Sequence, residues 1–257
     1  MKQVILVGYA HEDTLFTEEF ESVIQCLQTH SFSIAIEYPK GFDLGERVTN
    51  YQILLENIEA QCSEIGLTLD DFLEDKFNQG IPTQVKLARE AKFTYSIGIM
   101  LELIKISEIT FAGIDDAELL ETQKKIDISR SLEEFKKVSV ARSAQMAANI
   151  AALTMDNVVV FIGLAHLVDV RTHLARESGI NLRCLCFSNK PEAIPLNIAE
   201  PIKYLTTIIN TCSNDDVVAP AISETISNMK AGIDDYSVKV AMPVGEEVVN
   251  SSSAFGM

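Results

Sequence analysis

The sequence predicts an α/β fold in which a mostly parallel central sheet is flanked by helices. Two apolar runs rich in β-branched residues, VILV at 4–7 and VVVFI at 158–162, are each followed by a Gly-x-x-His phrase. Runs of this length and composition are typical of strands buried on both faces, as in a parallel sheet covered by helices. Segments with helical periodicity separate the strand-like runs, which is the order expected of repeated strand–helix–strand units.

The first strand–helix–strand unit predicts the direction of the sheet. A strand at 4–10 is followed by an amphipathic segment at 14–30 and then by a second strand at 33–39. Connections of this kind are right-handed crossovers in nearly all known cases, and they join parallel strands. We therefore expect His11 and Glu37 to emerge at the same edge of the sheet, where open α/β proteins bind ligands.

The following elements extend this core to about residue 190. An insert at 41–107 has a mostly helical pattern and is expected to cover the carboxyl edge of the strands. After the insert the pattern alternates between strands, at 109–115 and 181–187, and helices, at 131–155 and 164–177. Ser131 and Glu134 have the spacing of a capping box at the start of the first of these helices. Residues 1–190 thus form the predicted α/β core.

The chain after residue 190 gives weaker signals because prolines interrupt it. We predict a C-terminal extension at 191–245, with a helix at 223–229 and an edge strand at 237–241. The last stretch, 246–257, carries two glutamates and three serines and is predicted to be disordered. A short acidic terminus with serines is also compatible with a secretion address.

The acidic composition narrows the classes of partner. The formal net charge is −16 and the pI is about 4.6, with acids spread along the chain, so the long-range field should repel nucleic acid and anionic membranes. The five cysteines include no C-x-x-C pair, which argues against a disulfide framework and a tetrahedral zinc site. We predict a cytoplasmic protein that acts on a small-molecule or peptide substrate. The sequence does not indicate the oligomeric state, and secretion as an effector stays open.

Four residues at the predicted sheet edge suit the activation of water: His11, Glu37, Arg142 and His166. Histidine titrates near neutral pH, a carboxylate can orient it, and arginine can hold a negatively charged group. In one arrangement His11 is the general base, and Glu37 tunes it or shares the water. Arg142 or His166 then stabilises an oxyanion. In the other arrangement His11, Glu37 and His166 hold a divalent metal with an open position for water.

Structural roles compete with these assignments. Glu37 also fits the exposed end of a strand, and Arg142 fits a partner for a surface acid. Asp115 is a candidate for ligand binding, although its position favours the N-cap of the helix that follows. Tyr9 and Asn149 are further ligand-binding candidates, and Asn149 shares a helical face with Arg142.

Four phrases of the chain resemble the erythromycin esterase and ChaN-like superfamily, which also includes the TraB and Tiki proteins. They are GYAH at 8–11, IE at 36–37, RSAQMAANIAAL at 142–153 and GLAHL at 163–167. The resemblance spans residues 4 to about 187, and it implies a parallel-sheet core with the histidines, Glu37 and Arg142 gathered at one cleft. It also implies a range of activities: ester or lactone hydrolysis, metal-dependent peptidase action, or haem binding.

The chain departs from the pattern of that superfamily at two positions. Tyr9 stands where esterase-like members carry an acid, and Ser143 stands where an acid often follows the helix arginine. These differences leave Glu37 as the main carboxylate, while Tyr9 beside His11 suits haem binding. The sequence therefore predicts a hydrolase for an ester, lactone or amide. It leaves two alternatives: a protein that binds haem or another anionic ligand, and a catalytically silent effector.

Overall fold

The computed structural model describes residues 1–9, 17–68, 100–188, 205–210, 218–233 and 239–241. Its strands are β1 (Lys2–Tyr9), β2 (Ser33–Pro39), β3 (Phe111–Asp115), β4 (Asn157–Gly163), β5 (Ile180–Ser188), β6 (Leu205–Asn210) and β7 (Lys239–Ala241). Its helices are α1 (Thr17–His30), α2 (Leu44–Glu64), α3 (100–107), α4 (Ala117–Lys124), α5 (Leu132–Ala152), α6 (Leu164–Leu174) and α7 (Val218–Lys230).

The described strands form one parallel sheet in the order β3-β2-β4-β1-β5-β6-β7. The predicted α/β fold, with a parallel sheet flanked by helices, is therefore confirmed. β4 lies between β1 and β2, so the two Gly-x-x-His strands are neighbours, and Tyr9 at the end of β1 is paired with Gly163 at the end of β4. The carboxyl ends of β1 to β4 consequently share one edge of the sheet, as expected of ligand sites in this class.

Helices cover both faces of the sheet, and the strand sequences explain why. Side chains alternate between the two faces along a strand. In β1, Ile5 and Val7 are buried on one face, against α1, α3, α7 and part of α2. Val4 and Leu6 are buried on the other face, against α5 and α6. Both faces of β1 are thus closed to water, which is what its continuous apolar run predicts.

Most predicted elements match the structure, and one mismatch has a local cause. The predicted strand at 33–39 coincides with β2, and the predicted helix at 131–155 shortens to α5. The predicted capping box is wrong. The backbone N–H of Ser131 donates to the carbonyl oxygen of Asp127 at 2.9 Å, so it is not open to the side chain of Glu134. The Ser131 side chain makes no cap hydrogen bond.

The C-terminal elements continue the same sheet. β6, which the sequence did not predict, pairs with β5, and β7 confirms the predicted edge strand by pairing with β6. The predicted helix at 223–229 lies within α7, which packs against α1. Residues 69–99 of the predicted insert and the predicted tail at 246–257 lie outside the described residues. None of the described helices combines the length and the apolar character needed to cross a membrane.

A close backbone approach at Gly113 brings the ends of β2 and β3 together. The regular pairing of these strands ends at Ile36, after which Pro39 lies opposite Asp115. A Cβ atom on Gly113 would lie 2.7 Å from the carbonyl oxygen of Tyr38 and closer still to that of Pro39. Only glycine therefore lets the irregular end of β2 pack this closely against β3.

Replacing Gly113 by alanine should lower the free energy of unfolding by about 1–3 kcal/mol, because a backbone carbonyl cannot move aside as a flexible side chain can. Urea unfolding followed by circular dichroism measures the loss. Gly45→Ala is the control, since a Cβ there meets only Asp43 Oδ1, at 3.3 Å; it should change stability by less than about 1 kcal/mol. A Gly113→Ala protein as stable as the wild type would contradict the close approach.

Candidate functional site

Four polar side chains meet at the carboxyl edge of the sheet. Glu37 lies near the end of β2, and Asp115 is the last residue of β3. Arg142 extends from α5, which packs against β3, and His166 lies in the first turn of α6, directly after β4. All four side chains are buried; the most exposed is that of Glu37, at 10%. Parallel strands thus bring together residues that are far apart in the chain.

Arg142 lies at the centre of these side chains, and each of its five N–H groups has an acceptor. Nε donates to Asp115 Oδ1 at 3.2 Å, and Nη2 donates to Asp115 Oδ2. The second Nη2 hydrogen is donated to Glu37 Oε1 at 3.0 Å. Nη1 donates to the amide oxygen of Gln123 and lies 3.4 Å from Nε2 of His166. We call these five residues the Arg142 network.

Asp115 binds Arg142 and does not cap the helix that follows it. Its side chain is wholly buried against Arg142, and Oδ1 also accepts from the backbone N–H of Asp116 at 2.8 Å. The N-cap of α4 is Asp116, whose side chain accepts from the backbone N–H of Leu119 at 2.9 Å. The expectation that Asp115 caps the helix is therefore wrong, because the next aspartate takes that role.

Glu37 is fixed through both of its carboxylate oxygens. Oε1 accepts from Arg142 and lies 3.5 Å from Nε2 of His166. Oε2 accepts from the backbone N–H of Gly163 at 2.8 Å, which ties the end of β2 to the end of β4. A carboxylate held on both oxygens keeps one orientation, so Glu37 is a preorganised charge.

A buried serine sets the orientation of the His166 ring. Nδ1 lies 2.8 Å from Oγ of Ser143, and the Ser143 hydroxyl donates to the carbonyl oxygen of Ser139 at 3.0 Å. Because that hydroxyl hydrogen is already used, Ser143 accepts from His166, and we infer that Nδ1 carries a hydrogen. In the neutral ring Nε2 then carries no hydrogen, and it faces Glu37 and Arg142.

The surroundings hold two further groups in one protonation state. Burial alone would lower the pKa of Arg142, but the carboxylates of Asp115 and Glu37 outweigh burial and raise that pKa. Burial strongly raises the pKa of the Tyr9 hydroxyl, and the neighbouring groups of Glu37 and Tyr38 raise it further. At neutral pH Arg142 is therefore charged and Tyr9 is a protonated phenol.

A cavity of about 490 Å³ adjoins the Arg142 network. Its buried wall is formed by Tyr9, Ile36, Glu37, Asp115 and Arg142. Its outer part is formed by Tyr38, Pro39, Phe42, Arg47, Ala117, Leu120, Glu121 and Lys124. A volume in this range suits a small-molecule ligand. His166 contacts the network but does not line the cavity, so a ligand would meet Glu37 first.

The structure brings most of the sequence-predicted site residues to this edge of the sheet: Tyr9, Glu37, Asp115, Arg142 and His166. Asn149 instead joins two elements. Its Nδ2 donates to the carbonyl oxygen of Ile114 at 2.8 Å, which holds α5 against β3. His11 lies outside the described residues, so its place in the site stays a prediction.

Sequence reasoning missed three groups of the site: the side chains of Gln123 and Ser143, and the backbone N–H of Gly163. Ser143 offered a signal, because it directly follows Arg142 where the family resemblance implies an acid. The structure shows that this serine still contacts His166. Gln123 and Gly163 offered no such signal. A glutamine in a helix and a backbone N–H group carry no mark in the sequence that separates a functional position from any other.

The donor atoms of the described site do not fit a divalent metal. Nη2 of Arg142 lies 3.0 Å from Oε1 of Glu37, and Nη1 lies 3.4 Å from Nε2 of His166, so a fixed positive charge lies against both donors. Within the described ranges, no group of three or more His, Cys, Asp or Glu side chains is arranged to hold a metal ion. Two of the three predicted metal ligands, Glu37 and His166, therefore face a cation.

Comparisons with known proteins do not identify a family or a function for this site. No family model matches the chain, and no curated protein matches it. A solved structure described as that of the type III effector HopBA1 is similar over 72% of this chain and 76% of that chain, with 14% sequence identity and a TM-score of 0.36. A likeness at this level carries no argument about function. Membership of the erythromycin esterase and ChaN-like superfamily therefore stays a prediction.

Replacing Arg142 by methionine should lower the free energy of unfolding by about 3–5 kcal/mol, because Asp115 and Glu37 would stay buried without a cation. Chemical denaturation at neutral pH measures the loss. Arg130→Met is the matched control, since Arg130 and its partner Asp127 are both exposed; it should cost less than about 1 kcal/mol. Equal losses in the two variants would show that Arg142 does not neutralise buried charge.

Proposed function

We propose that the protein is a hydrolase that activates water against an ester, lactone or amide carbonyl bound in the cavity beside Glu37. The observation that carries the proposal is that this carboxylate is held in one orientation at the wall of the cavity. Its oxygens are held 3.0 Å from Nη2 of Arg142 and 2.8 Å from the backbone nitrogen of Gly163, yet it lines the cavity. A charge immobilised beside a substrate-sized space needs no reorganisation during the reaction.

In the proposed mechanism His11 is the general base and Glu37 orients it. The support is positional: His11 follows Tyr9 by two residues, and Tyr9 and Glu37 line the same cavity. A carboxylate beside an imidazole stabilises the imidazolium that forms when the base takes a proton. Water attacks the substrate carbonyl while His11 accepts its proton. His11 then gives that proton to the leaving alkoxide or amine as the tetrahedral intermediate collapses.

The proposed donor to the oxyanion is the hydroxyl of Tyr9. Arg142 is poorly suited to this role because all of its N–H groups already have acceptors in the network. Tyr9 lines the cavity as a protonated phenol, which is the form that donates to the oxygen of a tetrahedral intermediate. Arg142 and His166 then act as positioning residues that fix Glu37.

Haem binding, the alternative from the sequence, finds less support in the same residues. Where tyrosine binds haem iron it does so as the phenolate, whereas burial and then Glu37 raise the pKa of Tyr9. We expect no shift of the Soret band when haem is added to the protein, measured by absorbance. A shifted band that is lost in Tyr9→Phe, but kept in Tyr51→Phe, would favour haem binding over hydrolysis.

Glu37→Gln and His11→Ala should each lower kcat/KM by about 100- to 10,000-fold, because the first removes the charge that orients the base and the second removes the base itself. The assay uses a panel of p-nitrophenyl esters, γ-lactones and p-nitroanilides. The matched controls are Glu133→Gln, an exposed residue of α5, and His173→Ala, a half-buried residue of α6. Wild-type rates in both site variants would contradict the proposal, as would a wild-type protein that hydrolyses no member of the panel.

A further inference from the structure

A cation, Arg47, stands at the exposed rim of the cavity. Helix α2 begins at Leu44, and Asp43 caps it by accepting from the backbone N–H of Glu46 at 2.9 Å. This capped first turn places Cζ of Arg47 4.5 Å from the centre of the Tyr38 ring. Arg47 is exposed, so its N–H groups can reach solvent and a ligand while the guanidinium carbon lies over the ring.

Among the described residues, the charge of Arg47 has no acidic partner. Three cations line the described part of the cavity: Arg47, Lys124 and Arg142. Lys124 pairs with Glu121 at 2.8 Å, and Arg142 is enclosed by its network. No carboxylate of the described residues lies within ion-pair distance of Arg47, although acidic residues outnumber basic ones in the chain by 37 to 21.

An aromatic wall joins Arg47 to Glu37. Tyr38 follows Glu37 in β2 and lies under Arg47, and its ring stacks on that of Phe42 with the centroids 5.1 Å apart. Phe42 in turn meets the edge of Phe111 at 5.2 Å. Of these three rings, Tyr38 and Phe42 line the cavity, and rings in mutual contact form a stiff apolar surface against which the apolar part of a ligand can pack.

The two ends of this wall differ in charge. At the buried end, two carboxylates, Glu37 and Asp115, surround one guanidinium, so the local charge is negative. At the rim stands the cation of Arg47. An anionic group is therefore repelled at the buried end and attracted at the rim. A ligand that carries one carboxylate would enter with its uncharged end towards Glu37.

We propose that Arg47 determines the specificity of this site and selects carboxylate-bearing substrates, in which an apolar chain separates the carboxylate from the bond to be hydrolysed. The proposal rests on the proposed function, because the scissile carbonyl has to lie at the Glu37 end. The carboxylate accepts hydrogen bonds from the N–H groups of Arg47, and the chain packs on Tyr38 and Phe42. Hydrolysis then follows the steps given above and needs no further reactant.

Equilibrium binding tests the anion site independently of turnover. Isothermal titration calorimetry of the full chain compares 4-phenylbutyrate with 4-phenylbutanol, which has the same apolar body and no charge. We expect the carboxylate to bind roughly tenfold more tightly, since a hydrogen bond to a charged group is worth that much. The preference should vanish in Arg47→Met and persist in part in Arg47→Lys, which keeps the charge and loses the planar fork.

The matched control for binding is Arg130→Met, which removes an exposed cation that does not line the cavity and should keep the preference. Equal binding of the two compounds by the wild type would overturn the proposal. A preference that survives in Arg47→Met would overturn it as well.

Turnover separates a failure of this proposal from a failure of the proposed function. Mono-p-nitrophenyl glutarate and p-nitrophenyl valerate have acyl chains of equal length and differ in the terminal carboxylate. We expect kcat/KM to be roughly tenfold higher for the glutarate, chiefly through KM, and the ratio to fall to about one in Arg47→Met. Hydrolysis without a preference would overturn the role of Arg47 alone. No hydrolysis, together with an Arg47-dependent preference in calorimetry, would overturn the hydrolase and leave an anion-binding site.

Discussion

A guanidinium shielded from water has to find acceptors for five N–H groups and a balance for one positive charge, and Arg142 finds both inside the protein. Each partner comes from a different element: Glu37 from β2, Asp115 from β3, Gln123 from α4 and His166 from α6. The attraction within such a group offsets the cost of removing charges from water only when the geometry is good. The network therefore contributes by permitting only one arrangement of its residues. That arrangement holds β2, β3, α4 and α6 against α5 at the edge where the site lies.

The topology of the sheet makes this arrangement possible. Because β4 is inserted between β1 and β2, the backbone N–H of Gly163 reaches Glu37, and because Gly113 has no side chain, the end of β2 reaches the end of β3. The helix that carries Arg142 is also anchored at its C-terminal end. Nζ of Lys2, at the start of β1, donates to the carbonyl oxygens that end α5, those of Ile150, Ala151 and Leu153.

The fold was predictable from the sequence because strands buried on both faces must be apolar throughout, which sets them apart from amphipathic helices. The edge that carries Glu37 and His166 follows from the direction of those strands. The roles of individual residues do not follow from the direction of the strands. Asp115 and Asp116 are alike in sequence, and the fold decides which one binds Arg142. Nor does the sequence show that every N–H group of Arg142 has an acceptor in the network, so it left Arg142 as a candidate for stabilising an oxyanion. β6 was not predicted because prolines interrupt the apolar pattern of the sequence around it.

The most direct test of this account is the nuclear magnetic resonance spectrum of the arginine side chains in nitrogen-15-labelled protein, with Arg142 assigned by its absence from Arg142→Met. An enclosed guanidinium cannot rotate freely or exchange its hydrogens with water without opening the surrounding structure. The account predicts separate, slowly exchanging Nη–H resonances for Arg142, against the averaged and rapidly exchanging resonances of exposed Arg130. Averaged, rapidly exchanging resonances from Arg142 would contradict it.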